Sequence, residues 1–361
     1  TFPKDAPFCR FSDAGKLMAL ASFSRRFKPN AEEQLLLENL LNEPFLSANP
    51  YASLQNSKYY NVGLDDPEFR DFAGIYSDRI FDIFHRFAEQ NLSKRLPLII
   101  SGGCGLNCDW NSKWQNSGLF DSVFVPPVAN DSGAAIGTAI DAQLHFTKNP
   151  KIEWSVYSGR NFVLDPINLD HYDVLDARPE KVAGMLAAGL ILGWINGKYE
   201  IGPRALGNRS ILASPFQEST RDRLNNIKQR ESFRPIAPMC LMEDAKQWFG
   251  CDIESPYMLF TYKAKTKELK AVTHVNGTAR IQTVTKGGNR NLYALLENFK
   301  QLTGYGVLCN TSLNFNGIGF INRLSDLSAY TLAHNLDGFV AADKIYLVKK
   351  SAKYMEYSSR A

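Results

Sequence analysis

Lysine and arginine are concentrated around turns rich in Gly and Pro between Gly193 and Pro238. Apolar residues such as Trp194, Ile201 and Phe233 alternate with these cations, which disfavours a solvated charged surface. Guanidinium and ammonium groups fixed on bent backbone suit the binding of phosphate or carboxylate oxygens. The segment therefore predicts an inward-facing anion pocket. Its cations are Lys198, Arg204, Arg209, Arg221, Arg223, Lys228, Arg230 and Arg234.

Two predicted strand-to-helix junctions offer further ligand positions. The sequence SGGCGLN at 101–107 follows a short apolar strand, and free N–H groups at a helix start can hold a phosphate. A tight turn explains its glycines equally well, so both interpretations stay open. The sequence NDSG at 130–133 occupies the same kind of junction, where α/β sheets bind ligands. Asp131 alone is an ordinary capping residue. Next to the first junction it becomes a candidate for contact with a nucleotide or a metal.

Two later turns carry polar side chains. The sequence HVNGTAR at 274–280 contains an Asn-Gly hairpin turn, which leaves its flanking His and Arg unexplained. The sequence CNTSLN at 309–314 follows a predicted strand and suits hydrogen bonding to a sugar or phosphate. A loop cap is the competing interpretation of this second segment.

The elements that must position these groups form an α/β pattern. Small residues of the helix predicted at 132–146 favour close packing against a sheet. Residues 148–176 lose their periodicity and predict an inter-domain connection. Predicted helices cover 76–93, 106–116, 132–146, 181–188, 219–228, 292–302 and 325–335. Predicted strands cover 97–101, 122–125, 190–195, 257–264, 279–284, 306–310, 339–342 and 345–348.

Composition narrows the class of protein. The chain has 361 residues, 44% of them hydrophobic, and a formal net charge of +4 without a block of like charge. A length of this order favours two domains, and the small net charge gives little support for a membrane or nucleic-acid partner. No apolar run reaches the length needed to span a membrane. The cysteines, Cys9 among them, are scattered without paired spacing, which predicts reduced thiols and a cytoplasmic protein.

Taken together, these segments resemble the ATP-dependent O-carbamoyltransferases of antibiotic and nodulation-factor biosynthesis. The likeness covers nearly the whole chain, and its GPRALGNRS block is highly specific. The motifs that carry it are GKLMAL (15–20), SGGCGLN (101–107), NDSGAAIG (130–137), GPRALGNRSILA (202–213), FRPIAP (233–238), HVNGTARIQTV (274–284) and NTSLN (310–314).

The resemblance implies an α/β fold with two domains. Residues 1–150 would form part of an actin-like ATPase (ASKHA) domain, 151–176 a connection, and 177–361 a YrdC-like α/β domain with a twisted sheet. In the YrdC-like domain, ATP with Mg²⁺ and carbamoyl phosphate would yield carbamoyl adenylate. The actin-like domain, which carries iron (Fe²⁺) in this family, would pass the carbamoyl group to a hydroxyl of a small-molecule acceptor.

Positions that match the family's motifs supply the implied site. Lys228, Arg230 and Arg204 correspond to catalytic positions of the adenylate-forming site, and Asp131 corresponds to a carboxylate metal ligand. The implied nucleotide- and substrate-binding positions are Gly102, Gly103, Asn107, Arg209, Arg234, His274, Thr278, Arg280, Asn310, Ser312 and Asn314.

The chain also departs from the family's pattern. Members of the family begin with another half-domain that bears a histidine pair, and no segment here matches it. A single carboxylate cannot hold iron tightly, so we expect a weak or absent iron site and poor carbamoyl transfer by this portion alone. Asn276 stands where the family usually has Asp. Two rival functions remain: a tRNA-modifying enzyme that makes threonylcarbamoyl adenylate, and a non-catalytic surface that binds RNA.

Overall fold

The computed structural model describes residues 14–42, 52–315 and 319–358. Cys9 therefore lies outside the described residues. The described chain separates into two compact units, residues 1–96 and 97–361. The helices are α1 (Ala14–Ala21), α2 (Ala31–Asn42), α3 (Ala52–Gln55), α4 (Pro67–Asn91), α5 (Cys108–Asn116), α6 (Ala134–Thr147), α7 (Pro179–Ala187), α8 (Glu218–Ile227), α9 (Met242–Phe249), α10 (Arg290–Thr303), α11 (Leu324–Ala333) and α12 (Ala352–Ser358).

The strands belong mostly to the second unit's large sheet. They are β1 (Leu98–Ile99), β2 (Val123–Phe124), β3 (Tyr172–Asp176), β4 (Leu192–Ile195), β5 (Arg209–Ala213), β6 (Ala237–Leu241), β7 (Tyr262–Lys263), β8 (Thr278–Ala279), β9 (Gln282–Val284), β10 (Val307–Ser312), β11 (Asn314–Phe315), β12 (Gly319–Phe320), β13 (Gly338–Ala341) and β14 (Lys344–Val348). Eight of them form a mixed sheet in the order β3-β14-β13-β4-β5-β10-β6-β9. The predicted α/β class is therefore confirmed in this general form.

The first unit is helical in its described residues. Long helix α4 begins with Asp66, whose side chain caps Phe69 N, followed by Pro67 at the first turn. Tyr59 and Phe72 stack at 4.6 Å between ring centroids in its apolar cluster. The predicted helix at 76–93 is confirmed as part of α4, which begins earlier because Asp66 and Pro67 set its start.

The large sheet has an apolar cluster on each face. Side chains of neighbouring residues in a strand point to opposite faces. Leu192 and Trp194 accordingly join the cluster built with α7 and α10, whereas Ile195 joins the cluster built with α8 and α11. Helix α10 ends at Gly304, which has φ of 82° and occupies the left-handed region that glycine tolerates. The sheet is thus covered by helices on both faces.

Several predicted elements differ from the structure. The segment predicted as a strand at 257–264 is paired only at Tyr262–Lys263, and the predicted connection at 148–176 contains β3. Strand β3 was missed because it lies at the sheet edge and pairs only with β14. Helix α6, whose small residues predict close packing, has no buried residue. Among the described residues, no helix is long and apolar enough to cross a membrane.

Candidate anion-binding site

The register of the large sheet brings four of the predicted polar segments to one end. Strand β5 runs antiparallel to β4, so the loop at 196–208 lies at the end where β4 finishes and β5 starts. Strand β10 finishes at this end, and β6 and β9 start there. Residues 228–236, 274–281 and 312–314 directly precede or follow these strands. The topology therefore gathers residues that are distant in sequence.

Lys228 lies at the C-terminal end of α8 and is only 6% exposed. Its Nζ donates to the Ser312 carbonyl at 2.7 Å and to the Asn314 side-chain oxygen. Burial, followed by the nearby charges of Arg230 and Arg234, lowers the pKa of Lys228 to about 7. An ammonium group held this way gains from the arrival of an anion.

Arg230 and Arg234 occupy the turn between α8 and β6. Arg230 Nε donates to Asn225 Oδ1 at 2.7 Å, and its Nη2 donates to the Pro235 carbonyl at 3.4 Å. Burial lowers the pKa of Arg230 to about 9, followed by the charges of Arg234 and Arg280. Arg234 lies 3.9 Å from Glu231. The charges of Arg234 and Arg280 thus act on Arg230, which lies in the same turn as Lys228.

Arg204 lies in the loop between β4 and β5 and faces the segment predicted to hold a phosphate. Its Nη2 donates to the Leu106 carbonyl at 3.1 Å and lies 3.8 Å from Cys108 Sγ. Its Nε is buried without a hydrogen-bond partner among the described residues. Burial lowers the pKa of Arg204 to about 10, followed by the charge of Arg280. Arg204 and Arg280 therefore belong to one electrostatic group.

A buried glutamate organises the loop that carries Arg204. Glu200 Oε1 accepts hydrogen bonds from the backbone N–H groups of Leu206, at 2.5 Å, and of Asn208 and Arg209, at 3.4 Å each. Burial raises the pKa of this carboxyl group. Gly202 in the same loop has φ of 110°, and a Cβ there would lie 2.8 Å from the Pro127 carbonyl oxygen. The Gly-Pro-Arg turn therefore requires both its glycine and the glutamate beneath it.

Two predicted binding residues are engaged by the protein itself. Arg209 is fully buried and donates to Asn322 Oδ1 and to the carbonyls of Asn196 and Gly197. Burial lowers its pKa to about 10. Asn310 donates to the Ala205 carbonyl at 3.0 Å and to Gln282 at 2.8 Å. Both side chains support the backbone around Arg204 in this ligand-free arrangement.

The predicted hairpin turn at 274–280 places three polar residues together. His274 Nδ1 lies 3.1 Å from Thr278 Oγ1, and the His274 backbone N–H donates to the Thr278 carbonyl at 2.7 Å. Burial lowers the pKa of His274 to about 3, followed by the charge of Arg280. Arg280 Nε and His274 Nε2 are both buried without a partner among the described residues.

The junctions at 101–107 and 130–133 have different surroundings. Gly102 has φ of 95° and its N–H donates to the Ala129 carbonyl, while Gly103 begins a short 3-10 helix. Asn107 caps α5 by accepting from Trp110 N at 3.2 Å. Asp131 is exposed at the start of a 3-10 turn. Within residues 14–42, 52–315 and 319–358, no group of three or more His, Cys, Asp or Glu side chains is placed to hold a metal ion.

The cations of the 193–238 segment do not all converge. Arg223 forms two hydrogen bonds with the Asp337 carboxylate, at 2.8 and 2.9 Å, and Arg221 pairs with Asp222. Lys198 is exposed. Mutual charge effects on pKa therefore link only a subset of these cations, and their shared pocket stays a prediction. We call the group linked in this way the cation cluster. It consists of Arg204, Lys228, Arg230, Arg234 and Arg280.

Sequence reasoning missed three residues that position the cation cluster. These are Glu200, Asn225 and Gln282, all buried. Asn225 donates to the carbonyls of Ser232 and Arg234, at 3.0 Å each, and Gln282 donates to the Leu206 carbonyl at 2.8 Å. The available signal for Glu200 was a single acid between Gly193 and Gln217, within a stretch that carries Lys198, Arg204 and Arg209. A sequence signal for Asn225 was its position next to apolar Leu224 in α8.

A cavity of about 400 Å³ borders the same end of the sheet. Phe162, Trp194 and Asn196 line it, together with Gly197, whose carbonyl accepts from Arg209. Trp194 Nε1 is buried without a partner among the described residues. The cavity therefore adjoins the loop of Arg209 and presents aromatic and amide groups.

Comparisons with known proteins identify relatives of the whole chain. The family model for the carbamoyltransferase C-terminus matches residues 183–350, and the model for the carbamoyltransferase N-terminus matches residues 78–140. The chain is 47% identical over 348 residues to a 3'-hydroxymethylcephem-O-carbamoyltransferase of Amycolatopsis lactamdurans, which covers 96% of the chain and 67% of that relative. The 3'-hydroxymethylcephem-O-carbamoyltransferase of Streptomyces clavuligerus is 46% identical to the chain, and the match again covers 96% of the chain and 67% of that relative.

Two further matches are more distant. Nodulation protein U of Bradyrhizobium diazoefficiens is 41% identical over 66% of the chain and 44% of its own length. A crystal structure of full-length HypF in its phosphate- and nucleotide-bound form aligns over 49% of the chain and 23% of HypF. That alignment has 16% identity and a TM-score of 0.32, too weak to support an argument about the fold or the site.

Proposed function

Because the chain belongs to the carbamoyltransferase family, we propose that the cation cluster is the site where ATP and carbamoyl phosphate yield carbamoyl adenylate. The carbamoyl group would then pass to a hydroxyl of a small-molecule acceptor, whose oxygen bonds to the carbamoyl carbon as the bond to the adenylate oxygen breaks and AMP and the hydroxyl proton leave. The names of the relatives confirm the predicted transferase class. The single observation that carries the proposal is the group of buried and half-buried cations at one end of the sheet, among which burial and neighbouring positive charges lower the pKa values of Arg204, Lys228 and Arg230.

Uncompensated buried cations point to an anionic ligand. Placing positive charges together in a poorly solvated region is unfavourable unless an opposite charge joins them. Lys228 and Arg230 would bind phosphate oxygens, and the low local polarity would strengthen each contact. Fixed donors of this kind also stabilise the charge that spreads over phosphate oxygens during nucleotidyl transfer.

The chemistry balances with water as a co-reactant. Hydrolysis of carbamoyl phosphate breaks its carbon–oxygen–phosphorus link and releases inorganic phosphate and carbamate. A carbamate oxygen then forms a bond to the α-phosphorus of ATP, while the bond from that phosphorus to pyrophosphate breaks. ATP would arrive as its Mg²⁺ complex, with the metal held by the phosphates. Pyrophosphate and phosphate leave, and carbamoyl adenylate remains for transfer.

The finer assignment to domains stays part of the proposal. We assign the adenylate-forming step to a YrdC-like domain at 177–361 and the transfer step to an actin-like domain that includes residues up to 150. Gly102, Gly103 and Asn107 would contribute to a nucleotide site there. Asp131 belongs to no group of three or more His, Cys, Asp or Glu side chains placed to hold a metal ion among the described residues, and no step of the proposal depends on iron. We also propose a cytoplasmic location.

The test is pyrophosphate release from ATP in the presence of carbamoyl phosphate. We expect release that depends on both substrates, and at least a tenfold loss of ATP affinity in Arg230→Ala, since a charge-assisted hydrogen bond contributes roughly that factor. Lys246→Ala is a matched control because Lys246 is exposed on α9, with its nearest carboxylate, Asp252, at 3.9 Å. No release, combined with unchanged ATP binding by Arg230→Ala, would overturn the site assignment.

Two additional measurements separate the rival functions. Threonine and bicarbonate should not replace carbamoyl phosphate, whereas an enzyme that makes threonylcarbamoyl adenylate requires them. An RNA-binding surface depends on exposed cations, and its affinity falls steeply with salt and without nucleotide preference. Lys228 is too buried for that role. We therefore expect ATP binding that is selective for the nucleotide at both low and moderate salt.

A further inference from the structure

A hydrogen-bond acceptor lies among the donors of the cation cluster. His274 Nε2 is buried and has no hydrogen-bond partner among the described residues. Arg280 is its charged neighbour, since the charge of Arg280 contributes to the lowered pKa of His274. The charge of Arg280 likewise contributes to the lowered pKa of Arg204 and Arg230. The turn that carries His274 leads into β9, which starts at the same end of the sheet as β6, the strand that follows Arg230 and Arg234.

The hydrogen bonds of the turn fix which ring nitrogen carries the proton. The backbone N–H of Thr278 can only donate, and it lies 3.1 Å from the side-chain atom Asn276 Oδ1, so that atom must be the amide oxygen. The same oxygen lies 2.8 Å from Thr278 Oγ1 and accepts its hydroxyl proton. Thr278 Oγ1 then has only lone pairs left for His274 Nδ1, 3.1 Å away.

The consequence is a defined tautomer. His274 Nδ1 carries the proton and donates to Thr278, so Nε2 presents a lone pair to the buried space. The turn is rigid, because the backbone N–H of His274 donates to the Thr278 carbonyl and that of Gly277 to the His274 carbonyl, at 2.7 and 2.9 Å. Burial and Arg280 keep the ring neutral near pH 7, with a pKa of about 3.

The neutral acceptor Nε2 cannot form a hydrogen bond with a phosphate oxygen, because that oxygen is itself an acceptor. It requires a donor that is close to a phosphate group. We infer that His274 Nε2 accepts a hydrogen bond from the amide N–H of the carbamoyl group and so selects carbamoyl over other acyl groups. This inference rests on the proposed function, since it assigns the amide end of the same substrate. The amino group of adenine is separated from the phosphates by the ribose, which makes it a poorer fit.

The experiment compares two stable ligands that differ in one group. Phosphonoacetamide carries the amide NH₂ of carbamoyl phosphate, and 2-oxopropylphosphonate carries a methyl group in its place. Titration calorimetry on the parent chain should give tighter binding of the amide by about tenfold, the factor expected for one hydrogen bond in a buried site. His274→Phe should remove this preference. Thr278→Val, which keeps the imidazole but frees its tautomer, should reduce the preference to a few-fold.

Two controls keep the outcome decisive. Far-UV circular dichroism of His274→Phe should match that of the parent, which shows that the variant is folded. 2'-Deoxy-ATP should bind His274→Phe and the parent with the same ratio to ATP. An unchanged amide preference in His274→Phe, or no preference in the parent, would overturn the inference. If His274→Phe changes the ratio of 2'-deoxy-ATP affinity to ATP affinity but not the amide preference, Nε2 contacts the ribose hydroxyl, and the inference is overturned as well.

Failure of the proposed function is separately visible. The two phosphonates report binding without turnover, whereas pyrophosphate release reports adenylate formation. If the parent discriminates between the phosphonates but releases no pyrophosphate, the amide subsite is supported and the proposed reaction is contradicted. If the parent releases pyrophosphate but does not discriminate between the phosphonates, the proposed reaction is supported and the amide subsite is contradicted.

Discussion

Asn225 holds Arg230 in place, with its Oδ1 accepting from Arg230 Nε at 2.7 Å. The backbone N–H of Arg230 also donates to the Asn225 carbonyl, at 3.1 Å. Because the Asn225 amide donates to the carbonyls of Ser232 and Arg234 as well, one buried side chain shapes the whole turn between α8 and β6. The position of two cations therefore depends on an uncharged residue.

Asn225→Ala should weaken both the fold and ATP binding. Its loss removes the side-chain donor to two carbonyls and the acceptor of Arg230 Nε, which costs about 2 kcal/mol of unfolding free energy. ATP affinity should fall at least tenfold. Thermal denaturation and titration calorimetry measure the two effects. Asn226→Ala is the matched control, because Asn226 is the exposed neighbour on the same helix. Equal ATP affinity in the two variants would show that the turn does not position Arg230 for binding.

ATP binding should depend on the protonation of Lys228. Its pKa is about 7 in the ligand-free protein, so an arriving polyphosphate raises that pKa and proton uptake accompanies binding. Affinity should therefore decrease as pH rises above 7. Calorimetry in buffers of different ionisation enthalpy measures the proton uptake. Lys228→Arg should bind ATP with little change between pH 7 and 9, and a variant with the parent's pH profile would assign the proton to another group.

The same lysine sets a pH dependence of stability. Between pH 7 and the ordinary lysine pKa of 10.5, the unfolded chain holds a proton that the folded chain has released. Stability thus rises with pH in this window, by up to about 1.4 kcal/mol per pH unit, and is flat with respect to this group below pH 7. Unfolding by denaturant at pH 6.5, 8 and 9.5 should show the rise in the parent. The difference in unfolding free energy between Lys228→Met and the parent should shrink as pH rises. A difference that stays constant with pH would contradict the assignment of this dependence to Lys228.

Glu200→Gln and Glu200→Ala should behave differently. Gln retains a side-chain oxygen for the N–H groups of Leu206, Asn208 and Arg209, and burial already favours the uncharged form of the glutamate. Gln should keep ATP affinity within a few-fold of the parent. Ala leaves three buried N–H groups unpaired and should cost about 3 kcal/mol of stability, with loss of ATP binding. Similar losses in both variants would show that the negative charge itself is required.

Gly202→Ala should destabilise the loop that carries Arg204. Its φ of 110° is unfavourable for any residue with a Cβ, and the added atom would meet the Pro127 carbonyl oxygen at 2.8 Å. We expect a loss of about 2 to 3 kcal/mol, visible as a lower midpoint of thermal denaturation. Gly287→Ala serves as control, because nothing lies within 4 Å of a Cβ there. A midpoint shift no larger than in this control would mean that the loop adapts without strain.

Local pattern predicted many elements but not their extent. The apolar spacing and terminal glycine of α10 are sequence-local, and the observed helix Arg290–Thr303 follows them. The predicted strand at 257–264 is paired only at Tyr262–Lys263, since pairing depends on where β8 lies. Small residues in α6 suggested close packing, yet none is buried. Small size permits close approach without specifying a partner.

The sequence by itself determined the chemistry available to this protein: the cation-rich Gly/Pro segment, the family motifs and the α/β class are all local signals. Only the tertiary structure decided which cations share a site. Arg223 turns to Asp337 and Arg209 is enclosed by carbonyls, whereas Arg280 joins Arg204 and Arg230 from a distant turn. The reason is physical, because strand order and register decide which chain segments meet at an edge, and sequence spacing does not contain that order.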